Sequence, residues 1–232
     1  MRGRKRQYMT TLKISFLFLI VALYSCGQTT TKHKVNPELV RLNKEIIPLF
    51  SFTNNPDSCR KALLLLDSAT TIDSNDFNAY NNKLFFLYGL KQYDKAINTT
   101  NKLLSLRPNA HDLFMLKGNL LNKIGDTTSA NLNFEKSLSI CNSVLDTMQE
   151  TNRDYVMFVT NKAVNLIMLG DSAKANKILK NLYDKQPDNL AFDNVEKKYI
   201  LSLMNKNRSE LMNLFSNPDT SGSSTQSYGY PQ

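Results

Sequence analysis

The stretch H-D-L-F-M-L-K-G-N-L-L-N-K-I-G-D-T-T-S-A-N-L-N-F-E-K-S-L, residues 111–138, decides the fold. Apolar residues recur at three- and four-residue steps on both sides of Gly125, the pattern of two amphipathic helices joined by a tight turn. Glycine closes such a turn because it adopts the left-handed backbone at little cost. Ala130 in this stretch is preceded by Ala96 and Ala62 at steps of 34 residues, each followed by a similar apolar pattern. A period of 34 marks a helix–turn–helix unit that buries its apolar face by stacking on copies of itself. The expected fold is therefore all-α, an α-α superhelical solenoid of about four helix pairs with a C-terminal capping pair.

Three units align on their alanines. Around Ala96 stand Tyr80, Leu84, Leu87, Thr100, Leu103 and Pro108. Around Ala130 stand Phe114, Gly118, Leu121, Gly125 and Phe134, and around Ala175 stand Val159, Ala163, Leu166, Gly170, Leu179, Leu182 and Pro187. The order large, small, apolar, Ala, aromatic or apolar, Pro resembles the tetratricopeptide repeat over about residues 54–189. The resemblance implies that Gly118 and Ala130 mark the close crossing of the two helices of a unit. Ala175 lies 45 residues after Ala130, eleven more than the period. Eleven residues are about three helical turns, expected to lengthen the helix after Ser137 and the one before Val159. That extension is a candidate contact for a private partner.

The ends are less regular. Ala62, Leu66, Ala69 and Ile72 fit a helix opened by Asn55 and Pro56, while the helix before it, from about Pro37 to Leu49, is interrupted by Pro48. Leu190–Asn205 and Ser209–Asn217 read as the two helices of a cap, which covers a stacking face that would otherwise meet water. The expected organisation is a leader over 1–25, a polar linker over 26–36, the repeat domain over 37–217 and a disordered tail over 218–232, rich in breakers.

Arg2, Arg4, Lys5, Arg6 and Lys13 precede the apolar run Ile14–Tyr24. Eleven residues are too few to span a hydrocarbon core that needs about 20. The run ends in Leu23-Tyr24-Ser25-Cys26, which resembles the lipobox of bacterial lipoproteins. The resemblance implies cleavage before Cys26, a diacylglycerol on its sulfur and acylation of the new amino terminus, which together anchor the chain firmly to a membrane. Gly27 follows the cysteine where a retained lipoprotein would carry aspartate, so the expected place is the outer membrane, facing the periplasm. The formal charge of +9 falls to +4 without the leader, because 29−5=24 basic residues then face 20 acidic ones. The lysines alternate with asparagines along helices as a solvated face does, and no nucleic-acid partner is expected.

Cys59 and Cys141 fall two helix layers apart, beyond disulfide reach, and read as unpaired packing residues. No phosphate loop, nucleophile motif or metal-ligand spacing is present, so neither an enzyme nor a cofactor is expected. Asp67-Ser68-Ala69, Asp126-Thr127-Thr128, Asp146-Thr147-Met148 and Asp171-Ser172-Ala173 resemble a glycosylation sequon of some bacterial envelopes; turn chemistry equally explains Asp126 and Asp171, and Ser68 is expected to be buried.

Members of the repeat family line a groove with the first helix of each pair. The resemblance carries Asn81, Phe85 and Tyr88, then Met115, Asn119 and Asn122, then Thr160 and Val164 onto that groove. Asparagine amides both donate to and accept from a peptide backbone. The mode in which relatives clamp a terminal carboxylate is rejected, because Asn81 and Phe85 stand where it needs Lys and Asn. The expected function is a membrane-anchored scaffold or assembly adaptor holding an envelope protein or peptide segment. The alternative is a lipoprotein that holds a glycan or peptidoglycan fragment in the same groove.

Overall fold

The structure, a computed structural model, describes residues 36–186 and 195–216. Cys26, the leader, most of the linker and the tail 218–232 lie outside the described residues, as do 187–194, among them the first residues of the expected cap. The chain divides into two compact units, 1–40 and 41–232. Of the first, only 36–40 are described; there Asn36 Oδ1 accepts the Glu38 N–H at 2.9 Å and opens helix α1 (Pro37–Ile46), which runs on into the second unit.

The second unit continues with a 3-10 segment (Ile47–Phe52), α2 (Pro56–Ile72), α3 (Phe77–Gly89), α4 (Tyr93–Leu106), α5 (His111–Lys123) and α6 (Thr127–Leu145). Helices α7 (Tyr155–Met168), α8 (Ser172–Lys185), α9 (Val195–Leu203) and α10 (Arg208–Ser216) complete it. No strand occurs among the described residues. From α2 to α8 each helix packs mainly on its neighbours in sequence. The all-α class follows from that order. Pro48 ends α1 as a helix but not as a coil, since the chain tightens into the 3-10 segment that proline's fixed φ permits.

The three turns inside the aligned pairs are built alike. The N–H groups of Gln92, Asp126 and Asp171 reach back to the carbonyls of Leu87, Leu121 and Leu166 at 2.9, 3.0 and 2.8 Å. Those of Lys91, Gly125 and Gly170 bond Tyr88, Asn122 and Ile167 at 2.9, 3.1 and 3.0 Å. This pair of bonds is the Schellman closure, which needs one left-handed residue. Gly125 and Gly170 supply it at φ +84° and +94°, and Lys91 supplies it at +56°. Asp126 and Asp171 then cap the next helix, accepting the N–H of Ser129 at 3.0 Å and of Lys174 at 3.1 Å. Both aspartates of these motifs thus act as helix caps. Ser68, expected to be buried, is exposed on α2 and donates to the Leu64 carbonyl at 3.1 Å.

The register alanines carry the packing. Ala62, Ala96, Ala130 and Ala175 are all at most 1% exposed. At Gly118 a Cβ would stand 2.7 Å from the Phe134 ring, so the close crossing expected there is present. Gly89 serves a different approach: a Cβ there would meet the Thr53 carbonyl oxygen at 2.5 Å. One apolar cluster joins α3, α4 and α5 through Leu84, Leu87, Leu103, Leu113 and Leu120; a larger one joins α5 to α10, and Ile97 packs against both.

The eleven extra residues are distributed differently from the expectation. Helix α6 has 19 residues against 14 in α4, and α7 has 14 against 13 in α5. Five residues therefore lengthen α6, one lengthens α7, and the other five sit in the connection Asp146–Asp154. That connection is tied down: Glu150 accepts from Lys185 Nζ at 2.7 Å and from the Tyr155 hydroxyl at 3.3 Å.

Candidate partner-docking face

The groove positions taken from the sequence fall on α3, α5 and α7, and their burial divides them. Asn81, Phe85 and Tyr88 on α3 are half-buried. Phe85 meets Phe50 edge-on at 5.6 Å between ring centroids, and Tyr88 meets Tyr93 likewise at 5.7 Å. Met115 and Asn119 on α5 are half-buried too; the Asn119 Oδ1 has no water contact and no hydrogen-bond partner among the described residues.

At α7 the expectation fails. Thr160 is 2% exposed and returns its hydroxyl to the Val156 carbonyl at 2.8 Å; Val164 is fully buried. Neither can touch a partner in this state. For Val164 the C-terminal helix contributes to that burial. Residues 209–217 were expected to extend the stack as a cap, but α10 packs against α7, with Leu211 buried in the same cluster as Val164, Leu121 and Phe134.

Arg208 fastens this helix. Its guanidinium donates to Asn122 Oδ1 at 2.7 Å and to Asn131 Oδ1 at 2.9 Å, and lies 6.0 Å from the Phe134 ring centroid. The Asn122 amide nitrogen in turn sits 3.9 Å from the Met212 sulfur. Asn122 is therefore already engaged, and by a helical segment of the same chain. The start of α10 was legible in the sequence: Asn207 Oδ1 accepts the Glu210 N–H at 3.0 Å while Glu210 accepts the Asn207 N–H at 2.8 Å, a reciprocal capping box. Its destination was not, because the partners of Arg208 stand 77 and 86 residues away.

A buried polar seam also escaped the sequence reading. His111 at the start of α5 stacks on Phe158 with centroids 4.4 Å apart. Its Nε2 lies 2.9 Å from the Asn161 amide nitrogen, which fits a neutral ring accepting that N–H. Asn165 donates to the Ser137 hydroxyl and the Asn161 carbonyl, both at 2.8 Å. Burial lowers the His111 pKa below its ordinary 6.5, with Asp112 pulling the other way. Beside the seam, burial pushes the Cys141 thiol up to about 12, against the opposing hydrogen bond from Ser137. A thiol held protonated is a poor nucleophile; the seam itself ties α5, α6 and α7 together through His111, Ser137, Phe158, Asn161 and Asn165. Cys59 and Cys141 are both buried and unpaired.

Among the described residues no group of three or more His, Cys, Asp or Glu side chains is placed to hold a metal ion, and no helix is long and apolar enough to cross a membrane. No protein-family model matches the chain, and no curated protein matches it.

Proposed function

We propose that this chain is a lipid-anchored adaptor of the bacterial envelope, whose helix pairs are tetratricopeptide-like repeats that hold a helical segment of a partner protein. The anchor is Cys26 in its lipobox context. The observation that carries the docking part is α10 itself. A short amphipathic helix lies against α7, with Leu211 buried, Arg208 hydrogen-bonded to Asn122 and Met212 beside it. Laying the apolar face of a helix against other helices, with a few polar bonds to fix its register, is a recurring mode of peptide recognition. On this reading the partner's segment meets Asn81, Phe85, Tyr88 and Met115, which are half-buried rather than closed off.

The glycan reading has less support, because its four groove residues are Asn81, Tyr88, Asn119 and Asn122. Asn122 is bonded to Arg208, and the Asn119 carbonyl oxygen is closed to water.

The test is crosslinking in cells from a photo-reactive residue at Asn81, with Leu132, exposed on α6, as the control position. One envelope protein captured from Asn81 and not from Leu132 supports the adaptor. Equal capture from both positions, or none from Asn81 at normal abundance, overturns it. The anchor is tested separately: Cys26→Ala should abolish labelling by a radioactive acyl chain while leaving the helical circular dichroism unchanged.

A further inference from the structure

The cleft where α6, α7 and α8 meet is bounded on one side by Leu145, the last residue of the lengthened α6. It encloses about 410 Å³, within the range of roughly 300–1,000 Å³ in which ligand clefts fall. Its apolar side is made by Leu145 at the end of α6, Val159 on α7, and Ile178 and Leu182 on α8. Lys162 and Lys177 line the same space from α7 and α8.

The charges in the cleft are unequal in their partners. Lys185 is paired with Glu150 at 2.7 Å, and Asp146 adds one carboxylate to the lining. Lys162 and Lys177 make no hydrogen bond or ion pair among the described residues. Lys162 is half-buried and stands close enough to Cys141 to act on its thiol through space. A lysine with no side-chain partner beside an aliphatic lining leaves its ammonium free to pair with an incoming carboxylate while its stem packs on the apolar part of the ligand.

We infer that this cleft is a second docking site, taking a short peptide segment that carries both aliphatic and acidic side chains. Along α8 the lining runs Lys177, Ile178, Asn181, Leu182, Lys185, so cationic, polar and aliphatic groups lie side by side. Both α7 and α8 thus offer a segment an ammonium group beside an aliphatic one: Lys162 with Val159, and Lys177 with Ile178 and Leu182. The site is distinct from the face that carries Asn81 and Phe85, and its occupancy does not depend on that face.

The experiment uses the full-length chain in detergent and three probes: a fluorescent six-residue peptide of alternating leucine and glutamate, its leucine–lysine counterpart, and decanoate. Anisotropy titration should show binding of the glutamate peptide alone, weakening as salt is raised. Lys162→Gln with Lys177→Gln should weaken it by about tenfold, the sum of two partly exposed ion pairs of about 0.7 kcal/mol each. Lys177→Gln alone, at an exposed position, should give a partial loss with unchanged helical circular dichroism. Equal binding of the lysine peptide, binding of decanoate only, or affinity indifferent to Lys177→Gln would each overturn the inference.

Discussion

At the scale of the residue, one helix position and two turn positions separate space from strain. A methyl group at Gly118 would run into the Phe134 ring at 2.7 Å, and that ring is fully buried. Gly118→Ala should therefore destabilise the protein by about 1–3 kcal/mol, the usual cost of overpacking, read from the midpoint of urea unfolding. At Gly125 nothing lies within 4 Å, and only the φ of +84° opposes a side chain. Gly125→Ala should cost about 1 kcal/mol through backbone strain alone. Lys91 holds the equivalent left-handed place at +56°. Lys91→Gly should run in the opposite direction and stabilise by about 0.5–1 kcal/mol. An unchanged or lowered midpoint for Lys91→Gly would mean that its side chain contributes a contact that outweighs the strain. The turn glycines were legible in the sequence. Lys91 was not, since a lysine carries no turn signal of its own and only the shared Schellman bonds reveal its role.

His111 belongs to the same scale and makes stability depend on pH. Its folded pKa is depressed below 6.5 by burial, so as pH falls the unfolded chain takes up the proton first. The contribution of this group is complete above 6.5 and is lost progressively below it, at no more than about 1.4 kcal/mol per pH unit. Urea midpoints measured from about pH 7 down to about pH 5 should fall more steeply in the native chain than in His111→Asn. Parallel profiles would show that the imidazole titrates alike folded and unfolded.

At the scale of the element, the repeats differ in how well each helix start is closed. Asp126 and Asp171 cap α6 and α8, whereas Gln92 at the start of α4 makes no side-chain cap, and its Oε1 is buried without a partner. Gln92→Asp should satisfy the free N–H groups at that end and raise stability by about 1 kcal/mol, seen as a higher thermal midpoint. Asp126 offers a check in reverse. The Ser129 N–H and hydroxyl hold its carboxyl below the usual range, so this cap is present at neutral pH and is lost as acid protonates it. The aspartate caps are local signals and were readable as turn chemistry. The lengthening of α6 was read correctly in kind but not in amount, because periodicity alone does not say whether extra residues remain in a helix or pass into the loop that Glu150 ties to Lys185.

At the scale of the whole molecule, α10 decides which part of the expected groove is open. Leu211 is fully buried in the cluster that contains Val164. Leu211→Ala should cost about 2–5 kcal/mol and raise the hydrogen exchange of α10 and the facing turn of α7. Arg208→Ala should release Asn122 with a smaller loss of stability, and in the crosslinking experiment it should allow a probe at Asn122 to capture a partner. If Leu211→Ala leaves the exchange of α7 unchanged, α10 does not cover that helix in solution.

Local rules carry far in this chain. The period of the register alanines, the Gly118–Phe134 crossing, the glycine turns and the aspartate caps each depend on residues within about one repeat of each other, and a periodic sequence displays such relations openly. The same holds for the two unpaired cysteines, whose separation follows from counting helix layers. What only the tertiary structure decided are the relations that cross many repeats. Arg208 meets Asn122 and Asn131, His111 meets Asn161 fifty residues on, and Thr160 and Val164 are buried instead of lining a groove. The physical reason is that an amphipathic helix specifies that one face must be covered, by apolar burial that is not directional, and leaves open which surface covers it. That choice is made by shape and by a few directed hydrogen bonds, whose partners no spacing in the sequence announces.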